Sequence, residues 1–257
     1  MGEQLRIAAV LLSLALVAYA GACIALFAFQ RSLIYFPQPR AFGGPADTLV
    51  LPADGADIVI SVRPHVGPKA LIYFGGNAED VSANLALFAH AFPQHAIYLM
   101  HYRGYGGSSG KPSEKLLLED ARALFDRAHR EHAEIAVVGR SLGSGVAVRL
   151  AAERPAARLV LVTPYDSLQE LAAQQFPYFP VRWLLTDKFE SSRYACAIRV
   201  PTLLLEAEHD EVIPRASTER LTARFAKGIA SLVVIRGTGH NTISEPAQYL
   251  DTIRAAL

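Results

Sequence analysis

Two cysteines, Cys23 and Cys196, are all that this chain of 257 residues contains. Cys23 lies inside an apolar run, so a disulfide framework is excluded and the usage fits a reducing compartment. Charge of one sign is also missing. The formal net charge is +1 with no basic block, which removes the electrostatic footprint of a nucleic-acid-binding protein. Repeats and low-complexity tracts are absent. The histidines near one helix, His129 and His132, have no third ligand at a recognisable spacing, so neither a metal nor a cofactor is expected. Gly139, Gly143 and Gly145 spell a nucleotide-binding turn. They lie mid-chain, however, and no tyrosine stands in a Tyr-x-x-x-Lys pair, which argues against a short-chain dehydrogenase.

Apolar residues are plentiful, at 51% of the chain with a mean hydropathy of +0.22. The excess is concentrated from Ile7 to Phe29, "IAAVLLSLALVAYAGACIALFAF", which carries no charge. At about 1.5 Å per helical residue this run spans a hydrocarbon core of roughly 30 Å. A secretory signal peptide is the rival reading, because Arg6, the apolar run and Ala18-Tyr19-Ala20 imitate its three regions. Apolar sequence nevertheless continues past Ala20, and cleavage there would expose "GACIALFAF". The expectation is therefore an uncleaved single-pass anchor over residues 1–30, with the lipid bilayer as its partner. Arg6 and Glu3 lie on one side of it and Arg31 and Arg40 on the other, a balance that leans faintly to a cytoplasmic catalytic domain.

After a Pro- and Gly-rich connector over 31–47, short β-branched runs alternate with amphipathic ones. Strands are predicted at 56–62, 69–74, 96–100, 134–139, 158–162, 202–207 and 231–235, and helices near 78–91, 113–131, 142–153, 214–226 and 246–256. Such alternation predicts an α/β domain over 48–257, with a mostly parallel sheet flanked by helices on both faces. Parallel sheets place ligand sites at the carboxyl ends of their strands.

The pattern GxSxG occurs twice, around Ser108 and around Ser141. Ser141 follows a buried-type strand directly and precedes "LGSGVAVRLAAE", the strand, turn and helix of a nucleophile elbow. Ser108 lacks that context, and its loop "RGYGGSSG" reads as flexible. At the start of its helix, the unpaired Leu142 N–H is suited to meet an oxyanion.

A serine hydroxyl needs a base and the base an orienting carboxylate. His240, in a loop between the last strand and last helix, is the best-placed histidine, with His101 at a strand end as a second. Asp210 follows the penultimate strand. Glu208 and Glu211 flank it, and Asp166 is a further rival. A second oxyanion donor is expected in "YFGGNAED", where two glycines leave the Asn77 N–H as the candidate; the same residues also read as a turn capping the next helix. Near 164–200 a small lid-like insertion carries Phe176, Tyr178, Phe179 and Trp183, which either line an acyl pocket, rest against the bilayer, or pack as core.

The segments "QRSLIYFPQP", "LIYFGGNAED", "HYRGYGGSSGKPSE", "VVGRSLGSG", "FPVRWLL", "EHDEVIP" and "GTGHNTI" together resemble the α/β-hydrolase-domain superfamily, in particular its membrane-anchored, depalmitoylase-like branch. The resemblance covers almost the whole chain. It implies Ser141 as nucleophile, Asp210 as acid, His240 as base, and Asn77 with Leu142 as oxyanion donors. An apolar pocket close to lipid would make an acyl ester or thioester the natural substrate. It departs at Gly75, where related sequences often carry histidine. In the same light the loop from Tyr102 to Gly107 forms a wall near the site, with Arg103 paired to a buried carboxylate. An anchored binding or scaffold protein without turnover is the alternative from another class.

Overall fold

The computed structural model describes residues 2–257. Eight strands form one sheet: β1 (Thr48–Ala53), β2 (Ala56–Arg63), β3 (Lys69–Phe74), β4 (Ala96–Met100), β5 (Glu134–Arg140), β6 (Arg158–Val162), β7 (Thr202–Ala207) and β8 (Ala230–Ile235). Their spatial order is β1-β2-β4-β3-β5-β6-β7-β8. β2 runs antiparallel to both β1 and β4, and every other pairing is parallel. This is the arrangement of the α/β-hydrolase fold that the resemblance implies.

The strand predictions hold to within a residue or so, because buried parallel strands declare themselves as continuous β-branched runs. The strand missed was β1. Its signal was the Asp54-Gly55 dipeptide between two alternating runs, with Gly55 at φ +68° turning the hairpin.

Nine α-helices accompany the sheet among the described residues: α1 (Gly2–Ile34), α2 (Leu85–Ala91), α3 (Glu114–His129), α4 (Leu142–Glu153), α5 (Leu168–Gln175), α6 (Val181–Leu184), α7 (Ser191–Ala195), α8 (Arg215–Thr222) and α9 (Ala247–Ala256). The helix expected from 78 begins instead as a 3₁₀ turn, Val81–Asn84, with Asp80 accepting the Ser82 N–H. Strand periodicity sorts the core. Ala70, Ile72 and Phe74 of β3 face one cluster with α3, α4, α7 and α8, while Leu71 and Tyr73 face another with α2 and α9.

α1 runs to Ile34, past the expected end of the anchor, and is long and apolar enough to cross a membrane, with an 18-residue window of mean hydropathy 2.4, none of it buried. Between β6 and β7, across the segment expected as an insertion, stand the short helices α5, α6 and α7.

Candidate active site

The chemistry-bearing loops leave the carboxyl ends of β3, β5, β7 and β8, at one rim of the sheet. Ser141 stands between β5 and α4 at φ +49° and ψ −118°, a positive-φ conformation that a non-glycine residue adopts only under constraint. The constraint is close packing. A Cβ on Gly139 would overlap the Gly143 carbonyl, and one on Gly143 would overlap the carbonyl of Phe74. With both side chains absent, α4 starts hard against β3 and β5 and the turn has no other course. The Ser141 N–H donates to the Val162 carbonyl at 2.9 Å, locking the turn to β6.

Three polar groups then join in series. The Ser141 hydroxyl lies 3.0 Å from His240 Nε2. His240 Nδ1 lies 3.0 Å from each oxygen of Asp210. A carboxylate on Nδ1 places the ring proton there and leaves Nε2 as acceptor for the serine O–H. The side chains of His240 and Asp210 are only 7% and 5% exposed. Asp210 is held by the N–H groups of Val212 and Ile213, at 2.9 and 2.7 Å. Glu211, a rival acid, meets the His240 backbone instead of its ring, accepting the N–H at 3.0 Å, a bond that holds its carboxyl below the usual range.

The other rivals are engaged away from Ser141. Asp166 is bound by Ser217 and Arg220. Glu208 accepts the Gly237 N–H. His101 is buried against Ser61, its Nε2 2.9 Å from the hydroxyl, and burial lowers its pKa to about 4. His132, just beyond α3, is buried, bonded to the Gly67 carbonyl and the Tyr98 hydroxyl. Ser108 is likewise buried rather than flexible, accepting the Val59 N–H and donating to the His101 carbonyl.

Asn77 and Leu142 line the same cavity as Ser141 and His240. Neither N–H has a protein acceptor among the described residues. Asn77 is fixed on three sides. Its carbonyl accepts the Phe36 N–H and the Tyr105 hydroxyl, and its amide donates to the Ile34 carbonyl.

Sequence reasoning missed the group that shapes this loop, Glu79. Its Oε2 accepts the Gly76 N–H at 2.7 Å and its Oε1 accepts from Tyr73 and Asn84. Burial holds the Tyr73 phenol well above its ordinary pKa, so it remains a donor. Arg140 bridges Glu79 at 3.5 Å to the His240 carbonyl at 3.4 Å, connecting the loop after β3 with the histidine loop. A glutamate two residues after a Gly-Asn pair carries no periodic signal that would have exposed it.

The cavity measures about 740 Å³. Phe176 and Phe179 line it. Tyr178 and Trp183 do not: they are 85% and 89% exposed, a correction to the expected four-residue cluster. Arg103, as expected, meets a buried carboxylate, making two 2.8 Å bonds to Asp120.

Residues 68–194 match the family model described as serine aminopeptidase, S33, and residues 183–253 one described as TAP-like protein. The uncharacterized protein Rv2307c of Mycobacterium tuberculosis is 38% identical over 99% of this chain and 96% of its own length. The α/β-hydrolase domain-containing protein aho-3 of Caenorhabditis elegans is 32% identical, covering 72% of this chain and 56% of its own. Among solved structures, the Pyrococcus furiosus esterase Pf2001 superposes with a TM-score of 0.69 at 15% identity, over 86% of this chain and 98% of its own. Est1E from Butyrivibrio proteoclasticus, bound to ferulic acid, gives 0.63 at 15% identity, over 81% and 95%. At such identities the structural likeness speaks for the fold alone.

Proposed function

The chain belongs to the α/β-hydrolase superfamily, and from that membership we propose that it is a membrane-anchored serine hydrolase that cleaves acyl esters or thioesters. The observation that carries the reading is the unbroken series Asp210–His240–Ser141, with the imidazole 3.0 Å from the serine hydroxyl and from each carboxylate oxygen, opening onto a largely apolar cavity.

In this mechanism His240 Nε2 takes the Ser141 proton as Oγ bonds to the acyl carbon. Asp210 keeps the imidazole oriented and stabilises its charged form. The carbonyl oxygen becomes an oxyanion that receives the N–H groups of Leu142 and Asn77. The tetrahedral intermediate collapses, the bond to the alcohol or thiol breaks, and the leaving group takes the proton from His240. Water then repeats the sequence on the acyl-serine, giving up one proton to His240, and the free acid and serine are restored. Glu79 and Arg140 act as positioning residues, holding the oxyanion loop and histidine loop at a constant separation.

The anchor reading draws on α1, whose Leu11, Leu12, Leu16 and Val17 are each at least 60% exposed, with no protein surface to cover them. The test of the hydrolase reading is labelling by a fluorophosphonate probe together with hydrolysis of p-nitrophenyl esters. The wild type is expected to label and turn over, whereas Ser141→Ala abolishes labelling and His240→Ala lowers turnover by up to about 10⁶. A folded wild type that neither labels nor hydrolyses would overturn the proposal.

A further inference from the structure

The C-terminal part of α1 does not leave the catalytic domain as a tether. Leu26, Gln30, Leu33 and Ile34 recur at three- and four-residue spacing, so they share one helical face, and all four line the cavity that holds Ser141 and His240. Phe176 and Phe179 of the insertion line it from another side. Polar contacts fasten this face. Gln30 Oε1 accepts from the N–H and hydroxyl of Thr186, and Nε2 donates to the carbonyls of Phe27 and Leu184, so no free amide donor remains in the wall. Arg31 pairs with Asp187 at 3.0 Å, and the buried Tyr35 hydroxyl donates to the same carboxylate. The last carbonyl of α1, on Ile34, accepts from Asn77 of the oxyanion loop.

Higher along the helix, Tyr19 stacks on Phe179 with centroids 5.7 Å apart, and its hydroxyl donates to the Tyr178 carbonyl at 2.9 Å. Tyr19 to Gln30 spans about 16 Å of helix at 1.5 Å per residue. Nearly all of that length belongs to the uncharged run that ends at Phe29. The insertion therefore lies beside residues at membrane depth. Its properties suit that place. Trp183, exposed beside Leu184 where the uncharged run ends, is a residue type that settles at the headgroup level, and the Tyr178 and Leu184 carbonyls, which water would otherwise solvate, have donors from α1.

We propose that α1 is a wall of the acyl-binding site and that the substrate is a long-chain ester resident in the bilayer. Its chain passes from the hydrocarbon between α1 and the insertion, along Leu33 and Leu26, and delivers the carbonyl to Ser141. Leu33, 53% exposed yet lining the cavity, marks the mouth. The volume of about 740 Å³ is that of a small-molecule site and far exceeds the need of a short acyl group. The inference rests on the hydrolase reading of Ser141, and it makes the anchor a specificity element as well as an attachment.

The test uses the full chain reconstituted in phosphatidylcholine vesicles. The quantity measured is the ratio of kcat/KM for membrane-embedded p-nitrophenyl palmitate to that for p-nitrophenyl acetate in the bulk phase. Leu26→Trp or Leu33→Trp is expected to lower this ratio by about ten-fold or more, whereas Ile24→Trp, on a face away from the cavity, stays within about two-fold of wild type. A wild type that prefers acetate, or a ratio unmoved by both cavity variants, overturns the inference while leaving the hydrolase intact. Fluorophosphonate labelling reports that each variant keeps its site. Should the tryptophan variants fail to label, Leu26→Ala, which only opens space, is expected to raise the stearate-to-palmitate ratio, and no rise counts against the wall. A wild type that labels with nothing and hydrolyses neither ester defeats the hydrolase reading itself, and this inference falls with it.

Discussion

Ser141 and Ser108 share a five-residue pattern and differ in everything that gives a serine chemistry. Ser141 is held at φ +49° at the head of a helix, with a histidine on its hydroxyl. The Ser108 hydroxyl is used up by the backbone of Val59 and His101. The distinguishing signal was the neighbouring strand and helix, not the motif. His101, beside that second serine, carries a consequence for acid stability. Burial lowers its pKa from 6.5 to about 4, so the folded protein keeps it neutral where the unfolded chain protonates. Its effect on stability is therefore absent above pH 6.5, grows unfavourable as pH falls towards 4, and levels off below. The loss approaches about 3 kcal/mol, one pKa unit being about 1.4 kcal/mol. Urea unfolding in mild detergent at pH 7 and pH 4.5 is expected to show a smaller drop in His101→Gln than in wild type; equal drops would assign the acid sensitivity to other groups.

The elements place these residues through close approaches that side chains would forbid. α4 reaches β3 because Gly143 has no Cβ, and the loop after β4 is drawn onto α3 by Arg103. That arginine makes two 2.8 Å bonds to Asp120, whose side chain is fully buried, and a third to the Asp54 carbonyl next to the β1–β2 turn. Removing one partner strands a charge in the core. Arg103→Met is expected to cost roughly 3–5 kcal/mol, and the double variant Arg103→Met with Asp120→Leu to recover much of it. Thermal unfolding midpoints of the three proteins test this, and a single variant as stable as wild type would deny the pair its structural role. The pairing was suggested by the sequence resemblance, but its partner was not, because Asp120 lies on a helix face whose burial depends on how α3 meets the sheet.

Across the molecule, the long apolar helix and the catalytic domain form one body through Tyr19, Leu26, Gln30, Arg31 and Tyr35. Cleavage after Ala20 would remove Tyr19 and its stacking on Phe179. Protein extracted from membranes is therefore expected to retain its N-terminal residues by intact mass and to stay in the pellet after an alkaline carbonate wash. A mature species beginning at Gly21 would refute the anchor.

Local patterns carried most of the architecture. β-branched runs announced the parallel strands, the glycines around Ser141 announced the tight turn between β5 and α4, and the positions of Asp210 and His240 after successive strands put them at one rim, since parallel strands all end on the same side of a sheet. Such features depend on a few consecutive residues and so are written in the chain. The 3.0 Å geometry of the imidazole, the Glu79–Arg140 bridge, the outward turn of Tyr178 and Trp183, and the entry of Leu26 into the cavity arose from folding. Each depends on packing between segments distant in the chain, and an irregular loop has no period from which the direction of a side chain follows.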